Sequence, residues 1–286
     1  MLCLTGCSNF NYEVKPVDEN VHYDNVYVIM GQSNASGVSQ YSFLQEKAPE
    51  TYAKYSVENP DVQIITDVDG LYDTVYHPMK FGYGYNTDCF GPEIGISDVI
   101  ASPGETSYII KATFSGSCLQ TQYMNMKGQK LELYNRFIPF ILNSLKTLKD
   151  NGKNPRVKGV FWMQGESDSM SDIAKTYANA ESLFVKNLRK DLNEYVYGYM
   201  NFVDAYISTW SSWKNPFLIN NCKEKVKKED EHNYCIKTND EDRNSIGLHL
   251  KSDSGDGYAE DSTDNAHYNS LSMLVLGRAA GLYLIK

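Results

Sequence analysis

Three side chains that together can cleave an ester stand far apart in this sequence. Ser33 follows a continuous apolar run in "VYVIMGQSNASG", and Asp264 and His267 sit three residues apart in "DSTDNAHYN". A serine hydroxyl is a weak nucleophile near neutral pH. It needs an imidazole to take its proton and a carboxylate on the other ring nitrogen to hold the useful tautomer. At a spacing of three, Asp264 can reach His267 across one turn, so that it accepts from Nδ1 while Nε2 faces Ser33. Taken alone, D-x-x-H is a weak signal. The structural alternative makes Asp264 the cap of the last helix and His267 an ordinary first-turn residue.

Such residues need a scaffold that carries distant loops to one rim. Continuous apolar stretches in "NVYVIM", "VQIITDV", "SYIIKATFSGS", "VKGVFWMQGESD" and "MNFVDAYIST" predict strands. Between and after them, "GPEIGISDVIAS", "LELYNRFIPFILNSLKTLKDNGKNP", "DIAKTYANAESLFVKNLRKDLNE" and "HYNSLSMLVLGRAAGLYLI" predict helices, the second stopped by Asn151-Gly152. Alternating strands and helices imply βαβ units and a parallel sheet covered on both faces. The expected fold class is α/β, a three-layer α/β/α sandwich with a central, mainly parallel sheet. In such sheets ligands gather at the carboxyl ends of the strands. Gly31-Gln32-Ser33-Asn34, Ser115-Gly116-Ser117 and Gln164-Gly165-Glu166-Ser167-Asp168 all fall at such ends. Three loops therefore converge. Residues 38 to 93 read mostly as long loops, and the charged stretch 222 to 244 as a solvated excursion.

The 286 residues, 42% of them hydrophobic, suffice for one large domain with little room for a second. With 27 basic and 36 acidic residues the net charge is −9, which disfavours nucleic-acid partners. Trp210 and Trp213 in "ISTWSSW" are candidates to line a glycan cleft, although burial is the commoner fate of tryptophan. Near the start, Leu4-Thr5-Gly6-Cys7 resembles a bacterial lipobox. It predicts a lipid at Cys7, a signal remnant and tether over residues 1–20, a domain over 21–286, and a place in the bacterial cell envelope or outside the cell. Membrane contact would then be through the lipid alone, since no other stretch reaches the ~20 apolar residues of a span.

Cys89, Cys118, Cys222 and Cys235 are even in number, which suits an oxidising compartment and allows three pairings. Cys222 with Cys235 and Cys89 with Cys118 are the favoured ones. Cys118 has no histidine near it in sequence to activate it as a nucleophile, and no CxxC or Cys/His cluster suggests zinc.

Together, GQSN after its strand, GPEIG, the Ser-Gly-Ser turn, QGESD and the late DNAH resemble the SGNH-type acetylesterases of carbohydrate esterase family 6, which includes sialate O-acetylesterase-like domains. The resemblance covers most of residues 24–286 and implies an SGNH hydrolase, flavodoxin-like fold. It also implies a serine esterase that removes O-acetyl groups from carbohydrate, of acetylxylan or sialic acid type, through an acetyl-enzyme and without metal or organic cofactor. Carried over, Ser33 is the nucleophile and Asp264 and His267 complete the triad. The Ser33 amide, the Gly116 amide and the Gln164 side chain form the oxyanion hole, with Glu166, Gln32 and Asn34 as supports. Family members commonly carry a bulky residue after GQSN and a Gly-Gly-Thr turn, where this sequence has Ala35 and Ser115-Gly116-Ser117. The competing readings are a non-catalytic glycan-binding surface lipoprotein and a carbohydrate O-acetyltransferase using the same triad.

Overall fold

The computed structural model describes residues 14–238, 245–253 and 259–286. Its strands are β1 (Asp24–Gly31), β2 (Ser39–Gln40), β3 (Asn59–Val68), β4 (Leu71–Tyr72), β5 (His77–Met79), β6 (Cys89–Phe90), β7 (Ser107–Thr113), β8 (Pro155–Met163), β9 (Asn201–Ala205) and β10 (Asn233–Ile236). Its α-helices are α1 (Ser33–Ser36), α2 (Tyr41–Lys47), α3 (Pro49–Ser56), α4 (Glu93–Ile100), α5 (Glu132–Asp150), α6 (Glu166–Ser169), α7 (Tyr177–Asp191), α8 (Pro216–Lys227) and α9 (Ser270–Leu284).

Strands β10-β9-β8-β1-β7-β3 lie side by side in that order, all parallel, and β4 and β5 add antiparallel pieces to β3. The period of two along a strand sends alternate residues to opposite faces. Val26, Val28 and Met30 of β1 pack with α5, α7 and α8, whereas Tyr27 and Ile29 pack with α4 and α9. The expected α/β fold, a mostly parallel sheet flanked by helices, is therefore what forms. Its strand order reverses at β1, which has β7 on one side and β8 on the other. A crevice at the carboxyl end of β1 follows from that reversal.

On the second face α4 and α9 meet backbone to backbone. A Cβ on Gly277 would lie 2.3 Å from the Pro92 carbonyl oxygen, and one on Gly95 2.4 Å from that of Leu274. This contact holds the start of α9, and with it the chain entering from His267.

Several expectations are corrected. The stretch 222 to 244 is no solvated excursion over its described part, because it supplies the end of α8 and the edge strand β10. Ile219, Cys222 and Val226 face the core, and Lys223 is buried among them against Asp204 at 2.6 Å and Glu181 at 3.9 Å. A charge that reads as solvated is here paired inside. Residues 38 to 93 hold α2, α3, a ten-residue β3 and a small β2–β6 sheet rather than mainly loops. All four cysteines in the described residues are free, so neither favoured disulfide forms. Cys222 packs into the core beneath α7 while Cys235 pairs along the edge with Asp204 of β9, and parity of count carries no information about such placement. Cys7 and the first part of the tether lie outside the described residues. Lys15 is docked on the domain, its carbonyl accepting from Gly198 N at 2.6 Å and its ammonium donating to Glu194 O at 2.7 Å.

Candidate active site

Ser33 is the first residue of α1, and the turn that presents it depends on Gly31. Gly31 has φ of +141°, and a Cβ there would fall 2.1 Å from the Met163 carbonyl oxygen, so a side chain at this position is excluded. That carbonyl accepts from Gln32 N at 2.9 Å, tying the ends of β1 and β8 together. Beneath the turn the wholly buried Lys111 of β7 donates to Ser36 O at 2.8 Å, Tyr83 O at 2.7 Å and Glu93 Oε2 at 2.7 Å. All three ammonium protons have acceptors, which a buried cation requires. Burial lowers the pKa of Lys111, and the Glu93 carboxylate opposes that shift.

The Gly116 loop is braced from the opposite edge. Asp69 accepts from Ser115 N at 2.6 Å and from Ser115 Oγ at 2.9 Å, and Phe114 N donates to Gly31 O at 3.0 Å. Gly116 itself is exposed. Among the described residues, neither the Ser33 N–H nor the Gly116 N–H has a protein acceptor. Both donors are open to a ligand.

Gln164 is not open in this way, and its expected role at the oxyanion is corrected. Its side chain is fully buried, with Nε2 donating to Ser117 O at 3.0 Å and to Asp168 Oδ2 at 2.7 Å, while Tyr177 OH donates to its Oε1 at 2.9 Å. Both amide protons are taken, so Gln164 braces the second and third loops. Gln32 lies beside it, read with its nitrogen toward Ser117 O at 3.1 Å and Glu166 Oε2 at 3.2 Å, because the opposite orientation sets its oxygen against both acceptors. Asp168 accepts from Leu119 N at 2.8 Å and Gln120 N at 3.2 Å, so it caps the turn after Cys118.

On the last loop, the Asp264 carboxylate meets His267 Nδ1 at 2.9 and 3.0 Å and also accepts from Ala266 N at 3.0 Å and His267 N at 3.2 Å. The helix-cap alternative fails here: Asn269 caps α9, its Oδ1 accepting from Ser272 N at 2.8 Å. Burial raises the Asp264 pKa, but the His267 ring, the Ala266 N–H and the Lys251 ammonium outweigh it, and the carboxyl is held below its ordinary value. Lys251 is buried between Glu260 at 3.5 Å and Asp264 at 3.8 Å. Glu260 in turn accepts from Gln40 N at 2.9 Å and Ser270 N at 2.7 Å, fastening this loop to the domain.

Asn34 joins the two halves. Its Nδ2 donates to Glu166 Oε1 at 2.9 Å and to Ala266 O at 3.4 Å, and its Oδ1 accepts from Tyr268 N at 3.3 Å. The residue next to Ser33 thus grips both neighbours of His267. No hydrogen bond joins the Ser33 hydroxyl to the His267 ring in this structure, and such contacts are often long without substrate. With Nδ1 on Asp264, Nε2 is left to face a reactant. Burial raises the Glu166 pKa, opposed by Asn34, Lys223 and His267.

Some participants have no sequence signal. Asp69, Lys251 and Glu260 act through contacts across the fold, and neither motif nor spacing marks them. The tryptophans divide: Trp213 packs against the first core layer, whereas Trp210 is 54% exposed. Burial, with Asp168 adding to it, pushes the Cys118 thiol up to about 12, which leaves it protonated and a poor nucleophile. Among the described residues no group of three His, Cys, Asp or Glu side chains is placed to hold a metal ion, and no helix is long and apolar enough to cross a membrane.

Comparison with known proteins adds an independent finding. Residues 23–279 match the model of a family described as carbohydrate esterase, sialic acid-specific acetylesterase. No curated protein is similar enough in sequence to count as a match. Among solved structures, the chain is similar to a protein from Arabidopsis thaliana at 18% identity and TM-score 0.66, covering 92% of this chain and 98% of that one. It is similar to NanS at 15% identity and TM-score 0.63, covering 95% and 98%. A carbohydrate acetylesterase from Xanthomonas citri aligns at 16% identity and TM-score 0.50, over 77% of this chain and 51% of that one. At these identities the structural likeness concerns the fold.

Proposed function

We propose that this chain, which belongs to the family of carbohydrate esterases described as sialic acid-specific acetylesterases, hydrolyses O-acetyl esters of carbohydrate with Ser33 as nucleophile. Ser33 Oγ attacks the acetyl carbonyl while His267 Nε2 takes its proton. Asp264 holds Nδ1 and stabilises the imidazolium that forms. The oxygen that becomes negative is met by the Ser33 and Gly116 N–H groups, each worth roughly 3 kcal/mol when preorganised. His267 returns the proton to the sugar oxygen as the C–O bond breaks, leaving acetyl-Ser33. Water, deprotonated by the same imidazole, then releases acetate.

The observation that carries this reading is the grip of Asn34 on both sides of His267, since it brings the nucleophile turn and the Asp264–His267 pair to one place. A location in the cell envelope, through Cys7, belongs to the same proposal.

Acetate release from 4-nitrophenyl acetate and acetylated glycans, measured for wild type and Ser33→Ala, tests it. Loss of roughly 10⁴-fold or more in kcat is expected when the nucleophile is removed. Equal release by both proteins would refute it. Acetate formed without acetylated-sugar by-product identifies hydrolysis, and transfer to a sugar hydroxyl would revise the second step.

A further inference from the structure

Behind the Gln164–Asp168 loop lie three buried charged side chains: Glu181 of α7, Asp204 of β9 and Lys223 of α8. Lys223 Nζ donates to Asp204 Oδ1 at 2.6 Å, and Ala205 N donates to the same oxygen at 2.8 Å. Glu181 stands farther from the cation, at 3.9 Å. Its carboxyl faces that of Asp204 within hydrogen-bonding reach. Yet Asp204 Oδ2 and both Glu181 oxygens have no hydrogen-bond partner among the described residues. With every group ionised, two acids against one ammonium would also leave a buried net negative charge, which is costly.

One proton removes both faults. Two ionised carboxylates can only accept and so repel each other, whereas a protonated one donates to its neighbour. Asp204 already has two donors and Glu181 has none, so the proton belongs on Glu181, whose O–H then supplies what Asp204 Oδ2 lacks. Burial, with the Asp204 charge adding to it, raises Glu181 well above its ordinary value against the pull of Lys223. The other groups around the cluster do not reverse this. Burial keeps Tyr177 of the same helix, Cys222 of α8 and Cys235 of β10 protonated, and Glu224, near Cys235, is a further acid.

The cluster is the seat of the third site loop. A Cβ on Gly165 would lie 2.7 Å from Ile219 Cγ2 and 3.4 Å from Lys223 Cε, so the loop backbone rests directly on α8. Tyr177, one turn before Glu181, sets its ring 5.5 Å from Lys223 Nζ and donates to Gln164 Oε1 at 2.9 Å. Lys223 also opposes the rise that burial causes in the Glu166 pKa. A negative charge on Glu181 would cancel that help and slacken the bonds by which Glu166 holds Asn34 and Gln32.

We propose that Glu181 is a positioning residue, kept protonated in the fold and donating to Asp204, so that the Lys223 cluster stays neutral beneath the loop that braces the nucleophile turn. Its effect on turnover rests on the esterase reading above; its proton does not. Urea unfolding of wild type and Glu181→Gln from about pH 5 to 8 tests the proton. An unfolded glutamate titrates near ~4.3, so above that pH wild type must take up a proton on folding that the glutamine variant does not need. Relative to Glu181→Gln, the unfolding constant of wild type should rise about tenfold per pH unit, levelling off only where Glu181 ionises in the fold. A ratio independent of pH, or wild type gaining on the variant as pH rises, would show an ionised Glu181 paired with Lys223 and overturn the proposal. Turnover tests the positioning. Glu181→Ala should lower kcat on 4-nitrophenyl acetate about tenfold with KM little changed, and Glu181→Gln should restore it to near the wild-type value. Wild-type kcat in Glu181→Ala, or a tenfold loss in Glu181→Gln, would overturn it. Should Glu181→Ala fail to fold, Glu181→Gln still decides by its slope and its kcat. Wild type that releases no acetate would fail the esterase reading alone, and the unfolding slope then judges the proton without substrate.

Discussion

The two halves of the site are built differently. The Ser33 turn sits on nearly inaccessible supports, Lys111 bonded to Glu93 on one side and Asn34 and Gln32 bonded to Glu166, beside Gln164, on the other. The Asp264–His267 loop is half-buried and reaches the rest of the domain through Asn34, Lys251, Glu260 and the start of α9. A nucleophile must meet the carbonyl at a fixed angle, so its turn tolerates little play, whereas the imidazole must pass a proton first one way and then the other. Rigidity is concentrated where attack occurs.

That contrast predicts that damage to the histidine side removes activity and spares the fold, while damage to the nucleophile side removes both. After Ser33→Ala, the largest effect is expected for His267→Ala: a fall of roughly 10³-fold or more in kcat on 4-nitrophenyl acetate, with the midpoint of urea unfolding only slightly lowered. A large drop in the midpoint would show the loop to be structural after all. Asn34→Ala comes next. It strips a donor from the buried Glu166 and the link to Ala266 and Tyr268, so stability should fall by about 2 to 3 kcal/mol and kcat by roughly 10²-fold, the scale of a small misplacement. Loss of activity without loss of stability would break the contrast.

The smallest effect concerns pH. Because the fold holds the Asp264 carboxyl below its ordinary value, the ionised form is favoured in the folded protein. Its stabilisation is complete above about pH 4, the ordinary carboxylate range, and is lost as pH falls through the depressed folded value. The melting temperature of wild type should therefore exceed that of Asp264→Asn at pH 6, with the gap closing on acidification below pH 4. A gap that widens on acidification would reverse the sign assigned here.

Much of this was legible in the sequence because residue type and strand-end position are local properties. Continuous apolar runs ending in GQSN, Ser-Gly-Ser and QGESD mark buried strands that stop in polar loops, and the fold follows from their alternation with helices. What stayed hidden depends on direction and distance. A sequence states that residue 164 is glutamine but not that its amide protons turn inward to Ser117 and Asp168. Four cysteines suggest two bridges, yet the layers of the fold keep their thiols free. Lys111, Lys223 and Lys251 look like surface charges until their carboxylates, brought from other elements, are seen beside them. Asn34 was legible as part of GQSN, but its bond to the far end of the chain was not.

The central claim is that Ser33 carries the acyl group. Reaction with a fluorophosphonate, followed by intact-mass measurement and peptide mapping, tests it most directly. A single adduct on the peptide containing Ser33, absent in Ser33→Ala, is the result expected. An adduct on another residue, or wild type that still releases acetate after failing to label, would contradict it.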